Sequence, residues 1–115
     1  MNYNIKEEQT DWGKIYYISD NKSFRFSLHY YDDDLSTVYL FSVFVEPEYR
    51  HKGIGNIIIK MAEDIAKQMD FKIICLKCKV DSFVHSWYER IGYKDFIIDK
   101  EDSSFIWMKK QLMHS

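Results

Sequence analysis

At 115 residues the chain is the size of a single domain. A net charge of −2 argues against a general nucleic-acid-binding protein, because phosphate neutralisation needs clustered positive charge. Hydrophobic residues at 46% and aromatics at 17% argue against disorder. There is no run of about 18 apolar residues to cross a membrane, and the polar start of the chain carries no apolar leader, so a cytoplasmic protein that uses neither membrane nor nucleic acid is expected.

The first half reads as strands. Residues 3–9 form a short, weakly patterned one, and Thr10-Asp-Trp-Gly13 reads as a turn. Residues 14–19 carry Ile15, Tyr16, Tyr17 and Ile18, and Asp20-Asn-Lys-Ser23 supplies a second turn. Residues 24–31 alternate, with Phe24, Phe26, Leu28 and Tyr30 on one face and Arg25, Ser27, His29 and Tyr31 on the other. Residues 32–34, all Asp, mark a solvated hairpin tip. Residues 37–45 are apolar on both faces, which predicts a central strand covered on both sides, ending at Glu46-Pro47.

From Gly55 the apolar period lengthens. Ile58, Met61, Ala62, Ile65, Ala66 and Met69 share one helical face, and Lys60, Glu63, Asp64 and Lys67 the other. A strand over 71–80 follows, so strand, helix and strand make a right-handed βαβ unit. A second helix is predicted over 82–91, with Asp81 as N-cap, Phe83, Trp87 and Ile91 as its core stripe, and Gly92 at the left-handed position after its end. Strands near 93–99 and 104–110 complete a β-β-β-β-α-β-α-β-β order, an α+β or mixed three-layer domain. Cys75 and Cys78 lie three apart on a strand and so point to opposite faces. That spacing predicts two buried thiols rather than a redox pair, and no second cysteine pair completes a metal site.

The segment Val43-Phe-Val-Glu-Pro-Glu-Tyr-Arg-His-Lys-Gly-Ile-Gly-Asn56 leaves a buried strand, makes a short loop and opens a helix. Such a helix start offers unpaired amides and a positive dipole end, which together bind anions. Gly53 and Gly55 let a phosphate approach the backbone, and Arg50 and Lys52 can add charge-assisted bonds. A Walker A loop would need Lys-Ser/Thr after the last glycine, where Asn56 and Ile57 stand. A dinucleotide fingerprint would need a third glycine at Ile58.

Arg50-x-x-Gly53-x-Gly55 resembles the Q/R-x-x-G-x-G/A motif of the GNAT acetyltransferases, and Val43-x-Val45-x-Pro47 resembles the end of that family's fourth strand. Trp87-Tyr-Glu-Arg-Ile-Gly-Tyr93 is similar to the family's (F/L)YEKLGF segment, at the expected distance downstream. The resemblance implies a GNAT-like fold with a mostly antiparallel sheet, and an N-acetyltransferase that uses acetyl-CoA as its cofactor. It implies pantetheine contacts from Val43, Phe44 and Val45, with an amide near Phe44 facing the developing oxyanion. It also implies a pyrophosphate held by Arg50, His51, Lys52, Gly53, Ile54, Gly55 and Asn56, and proton donation from Tyr88 to the departing thiolate. The partner implied is an amine-bearing acceptor, small molecule or protein.

Where the family carries Asn seven residues before the Tyr, this chain has Asp81, which either repels the anionic cofactor or acts as a base. His29, Glu46, Asp81 and His85 are the candidate bases. The family's two helices between the first and second strands have no counterpart here beyond residues 10–13. Their absence implies an open acceptor site, a homodimer whose second subunit walls it, or an acceptor presented on a protein. Trp12, Tyr16, Tyr17, Tyr30 and Tyr31 are candidates to line that surface. A catalytically silent acyl-CoA-binding module of the same fold is the alternative, and a phosphate- or nucleotide-binding regulatory domain a third.

Overall fold

The computed structural model describes residues 2–112, in which strands β1 (Asn4–Gln9), β2 (Gly13–Ser19), β3 (Phe24–Tyr31) and β4 (Asp34–Val45) run antiparallel in sequence order. Only a turn joins β1 to β2, where the Thr10 amide donates to the Gly13 carbonyl at 3.0 Å and the Gly13 amide to Thr10 Oγ1 at 2.9 Å. A Cβ on Gly13 would stand 2.0 Å from the Tyr30 carbonyl oxygen, so the strands meet there only because the residue has no side chain. Asp20 closes the next turn by accepting from the amides of Lys22, Ser23 and Phe24 and from the Ser23 hydroxyl. Asp34 belongs to β4, opposite Tyr31, so the hairpin tip is shorter than the three aspartates predict.

After a single 3-10 turn (Pro47–Tyr49) come α1 (Ile54–Gln68), β5 (Ile73–Lys79), α2 (Phe83–Arg90), β6 (Lys94–Ile98) and β7 (Phe105–Gln111). Strand β5 is parallel to β4 and antiparallel to β7, and the sheet order is β1-β2-β3-β4-β5-β7-β6. The expected element order and mixed α/β architecture are therefore present.

The core lies on one face of this sheet. Phe26, Leu28, Val38, Leu40, Ile74, Leu76 and Met108 pack under Ile58, Ala62 and Ile65 of α1, with Trp87 and Tyr88 of α2 against the same cluster. Burying each such aliphatic side chain contributes roughly 1.5–3 kcal/mol. Tyr16 and Tyr30 join this core rather than an open surface.

The opposite face carries neither helix. A run of rings covers it, with His29 4.4 Å from Phe41, Tyr31 5.2 Å from Tyr39 and Trp107 5.7 Å from both Tyr39 and Phe41. This corrects the expectation that β4 is covered on both sides. Its second face is apolar because Tyr39 and Phe41 pack on neighbouring rings in the sheet surface.

Two further expectations are corrected in α2. Its N-cap is Ser82, whose Oγ accepts from the His85 amide at 3.1 Å. Asp81 stands outside the helix at φ 56, where its carboxylate cannot cap. Phe83 is 80% exposed, because the first turn of α2 overhangs a cavity at the end of β5 rather than the core.

Candidate functional site

Strands β4 and β5 pair at three positions only: Thr37 with Ile73, Val38 with Ile74 and Tyr39 with Cys75. Beyond them β4 runs on to Val45 beside β3, and β5 runs on to Lys79 beside β7, so the sheet parts. From Leu40 onward the edge of β4 that faced β5 has no strand partner among the described residues. A bulge sharpens the divergence. The β3–β4 register passes from Arg25 opposite Phe44 to Ser27 opposite Phe41, which sets Phe26 against both Ser42 and Val43, and Ser42 takes φ 57.

The loop between β4 and α1 lies at the mouth of this parting. Gly53 is the N-cap of α1 at φ 77, a left-handed conformation that favours glycine, and no side chain caps the helix. The Ile57 amide reaches back to the Gly53 carbonyl at 3.4 Å, which leaves the amides of Ile54, Gly55 and Asn56 facing outward at the positive end of the dipole. No acidic side chain occupies this first turn. A Cβ placed on Gly55 would meet nothing within 4 Å, so this glycine keeps space open in front of the amides.

A cavity of about 370 Å³ lies before that helix end. Of the residues expected from the sequence, Val45, Arg50, His51, Gly53, Ile54, Gly55 and Asn56 line it. Val43, Phe44, Lys52, Asp81 and Tyr88 do not. Tyr49, Phe83 and Trp87 line it as well, and no motif in the sequence marks them as part of the site. The i,i+4 spacing of Phe83 and Trp87 puts them on one helix face, a signal that reads as a core stripe in the sequence alone. Arg50 turns back onto β4, where Nε donates to the Val45 carbonyl at 2.8 Å and the guanidinium lies over Phe44. Lys52 Nζ stands over the Tyr49 ring.

Tyr88 lies behind Trp87, their rings 5.1 Å apart, with Tyr93 at 5.6 Å on its other side. Burial pushes its phenol up to about 12, so it is protonated at neutral pH. His85 is buried and spends both ring nitrogens. Nδ1 accepts from the Asp81 amide at 3.0 Å, so Nε2 carries the proton and donates to Asp95 Oδ1 at 2.7 Å. That Asp95 bond raises the His85 pKa. Glu46 pairs with Arg25 at 3.6 Å. His29 stands on the helix-free face, and burial lowers its pKa.

Cys75 and Cys78 are both buried and free, on opposite faces of β5, as their spacing predicts. Burial pushes the Cys75 thiol up to about 11. No group of three or more His, Cys, Asp or Glu side chains fit for a metal ion occurs among the described residues.

The acetyltransferase (GNAT) family profile matches residues 9–93. No curated protein matches the chain. Among solved structures, the chain is similar to a GNAT family acetyltransferase from Elizabethkingia anophelis with acetyl-CoA bound, at TM-score 0.68 and 15% identity over 96% of this chain and 99% of that one. It is similar to PaiA N-acetyltransferase from Thermoplasma acidophilum in complex with coenzyme A, at TM-score 0.64 and 23% identity over 84% and 59%. It is also similar to the ribosomal-protein-S18-alanine N-acetyltransferase of Escherichia coli, at TM-score 0.67 and 14% identity over 93% and 74%. At these identities the likeness is one of fold.

Proposed function

The chain belongs to the acetyltransferase (GNAT) family, and from that premise we propose that it is an acetyl-CoA-dependent N-acetyltransferase acting on a primary amine by direct attack. The observation that carries this reading is the parting of β4 from β5 in front of an uncapped helix start. A diphosphate ester with an extended tail fits both halves of that arrangement. The amides of Ile54, Gly55 and Asn56 match a pyrophosphate in charge and direction. The edge of β4 from Leu40 to Val45, which no strand covers among the described residues, would offer main-chain groups to a tail that carries amides once Arg50 leaves the Val45 carbonyl. Gly55 leaves room for the phosphates where any side chain would fill it.

Bound there, acetyl-CoA supplies a thioester carbonyl for attack and a thiolate leaving group. The chain's own residues would do the rest. Arg50, His51 and Lys52 would add positive charge at the mouth, with Arg50 leaving Phe44 to reach the phosphates. Phe83 and Trp87 would cover the cofactor from the α2 side. The bulge at Ser42 and Val43 would leave a main-chain donor near Phe44 for the carbonyl oxygen as charge develops on it. Tyr88, held protonated by burial, would give its proton to the departing sulfur.

One feature favours the silent acyl-CoA-binding reading: the Tyr88 ring lies behind Trp87 and outside the cavity lining. Calorimetric titration with coenzyme A, paired with thiol release from acetyl-CoA over an amine panel, separates the two. Binding with turnover supports the enzyme, and binding without turnover for any amine supports the silent module. No binding rejects both.

A further inference from the structure

On the helix-free face a depression of about 280 Å³ lies over β2, β3 and β4, lined in part by Tyr17, Ser19, Arg25, Ser27 and Ser42. Ser42 is the bulge residue of β4, so the depression reaches the stretch of β4 that lies beyond its last pairing with β5. Ser27 is buried, with Oγ 3.0 Å from His29 Nε2 and 3.3 Å from the Phe41 carbonyl oxygen. In the tautomer of His29 that leaves Nε2 unprotonated, the imidazole accepts the Ser27 proton. With the hydroxyl turned that way, a lone pair of Oγ remains for the depression. His29 is wedged between Trp12 at 5.8 Å and Phe41 at 4.4 Å, which fixes the ring against Ser27. Among the described residues no carboxylate lines the depression, and the one cation that does, Arg25, is occupied by Glu46 and by the Phe44 ring.

Building on the N-acetyltransferase reading, we propose that this depression is the acceptor subsite, that its occupant is a small primary monoamine, and that Ser27 relays the amine's proton to His29. The protons balance. The ammonium gives one proton to Ser27 Oγ as the Ser27 hydroxyl proton passes to His29 Nε2, and His29 later releases it to solvent. The free amine attacks the thioester carbonyl, forming the C–N bond. The C–S bond breaks with its electron pair on sulfur, and the thiolate takes the Tyr88 proton. The second proton lost from nitrogen restores Tyr88.

Burial suits His29 to this task, because it keeps the imidazole neutral at physiological pH and is the sole cause of its lowered pKa. The titratable and charged groups on its face of the sheet are Arg25 and Tyr31 of β3, Tyr17 of β2, Tyr39 of β4 and, one strand further, Lys6 and Glu8 of β1, with Glu8 accepting from the Tyr17 hydroxyl at 2.6 Å. A polycation would need carboxylates that the lining lacks, which is why the proposal commits to a monoamine.

The test measures kcat/KM for n-butylamine, spermidine and hydroxylamine against pH, in wild type, His29→Gln and Ser27→Ala. In wild type, n-butylamine is preferred over spermidine, and its kcat/KM falls on the acid side as His29 protonates. His29→Gln keeps a polar partner for Ser27 but carries no proton. It loses that acid limb and about 10²-fold in kcat/KM for n-butylamine. Hydroxylamine, which arrives as the free base, recovers most of the loss. An unchanged pH profile in His29→Gln, or a preference for spermidine, overturns the proposal.

The His29 ring resonances give a second readout that needs no turnover. They shift when n-butylamine is added to wild type, with or without coenzyme A, and stay still in Ser27→Ala. Failure to bind coenzyme A sinks the acetyltransferase reading, whereas a ring insensitive to n-butylamine sinks the subsite alone.

Discussion

The Tyr93 hydroxyl donates to Glu63 Oε2 at 2.8 Å, tying the segment after α2 to α1, and Lys110 of β7 reaches the same carboxylate at 3.1 Å. Tyr93 is almost fully buried, and burial beside Glu63 drives its pKa far above the ordinary phenol value, so this bond persists through any physiological pH. Tyr93→Phe is expected to lower stability by about 1–2 kcal/mol, read from urea midpoints, with the carboxylate kept partnered by Lys110. A shift near zero would show that the bond holds nothing together.

The two loop glycines separate shape from space. Gly53→Ala puts a side chain at φ 77 and should cost roughly 1 kcal/mol with a modest loss of coenzyme A affinity. Gly55→Glu has open room for its side chain, so the protein should keep its melting temperature while calorimetry shows coenzyme A affinity down by more than about 100-fold. Retained affinity in Gly55→Glu would place the diphosphate elsewhere.

Tyr88→Phe should leave coenzyme A affinity unchanged and reduce kcat by about 10²-fold, the usual contribution of a positioned acid. The phenol stands near 12 in the folded chain, so wild-type activity should show no alkaline limb from Tyr88 below pH 10. Equal kcat in the variant would remove Tyr88 from the chemistry.

Asp20 sets an acid limit on folding. Desolvation works against its charged form, but the Ser23 hydroxyl and the amides of Phe24, Lys22 and Ser23 outweigh that and hold its pKa well below the carboxylate range. A depressed folded pKa means the contribution is fully present above the unfolded value of about 3.9 and is lost as pH falls through the folded one. Asp20→Ala should therefore be less stable than wild type at pH 7, with the gap narrowing as acid is added. A gap independent of pH would contradict the assignment.

Cys75 should resist iodoacetamide at pH 8 in the native state, since its thiol is buried and raised to about 11. Mass spectrometry should find both cysteines labelled only after denaturation, and no intramolecular disulfide under mild oxidation.

Much of this arrangement was legible in the sequence. The alternation of β3 and the long-period face of α1 depend on neighbours close in the chain and stand where those patterns put them, and the Arg50–Gly55 segment forms the loop into α1 that its glycines predict. Other features depend on what lies across space. Phe83 reads as core by its spacing with Trp87, but its turn overhangs the cavity. The second face of β4 reads as covered by another layer, but its rings pack on rings from β3 and β7 within the sheet surface. Asp81 and Ser82 are both good caps by type, and the left-handed backbone at Asp81 decides for Ser82. His29 was one of several candidate bases. Ser27, separated from it by a single residue, becomes its partner only because alternation sends both side chains to the same side of β3.

Three paired positions of parallel ladder, and the Lys72 amide donating to the Ser36 carbonyl at 2.8 Å, stitch the first four strands to the last three. A joint so short is the softest line in the sheet, braced from one side by the helices and from the other by interlocked rings. A wedge-shaped guest seated in the gap would stiffen that seam from within. Amides at Val38, Tyr39, Ile74 and Cys75 should then exchange their hydrogens more slowly in its presence.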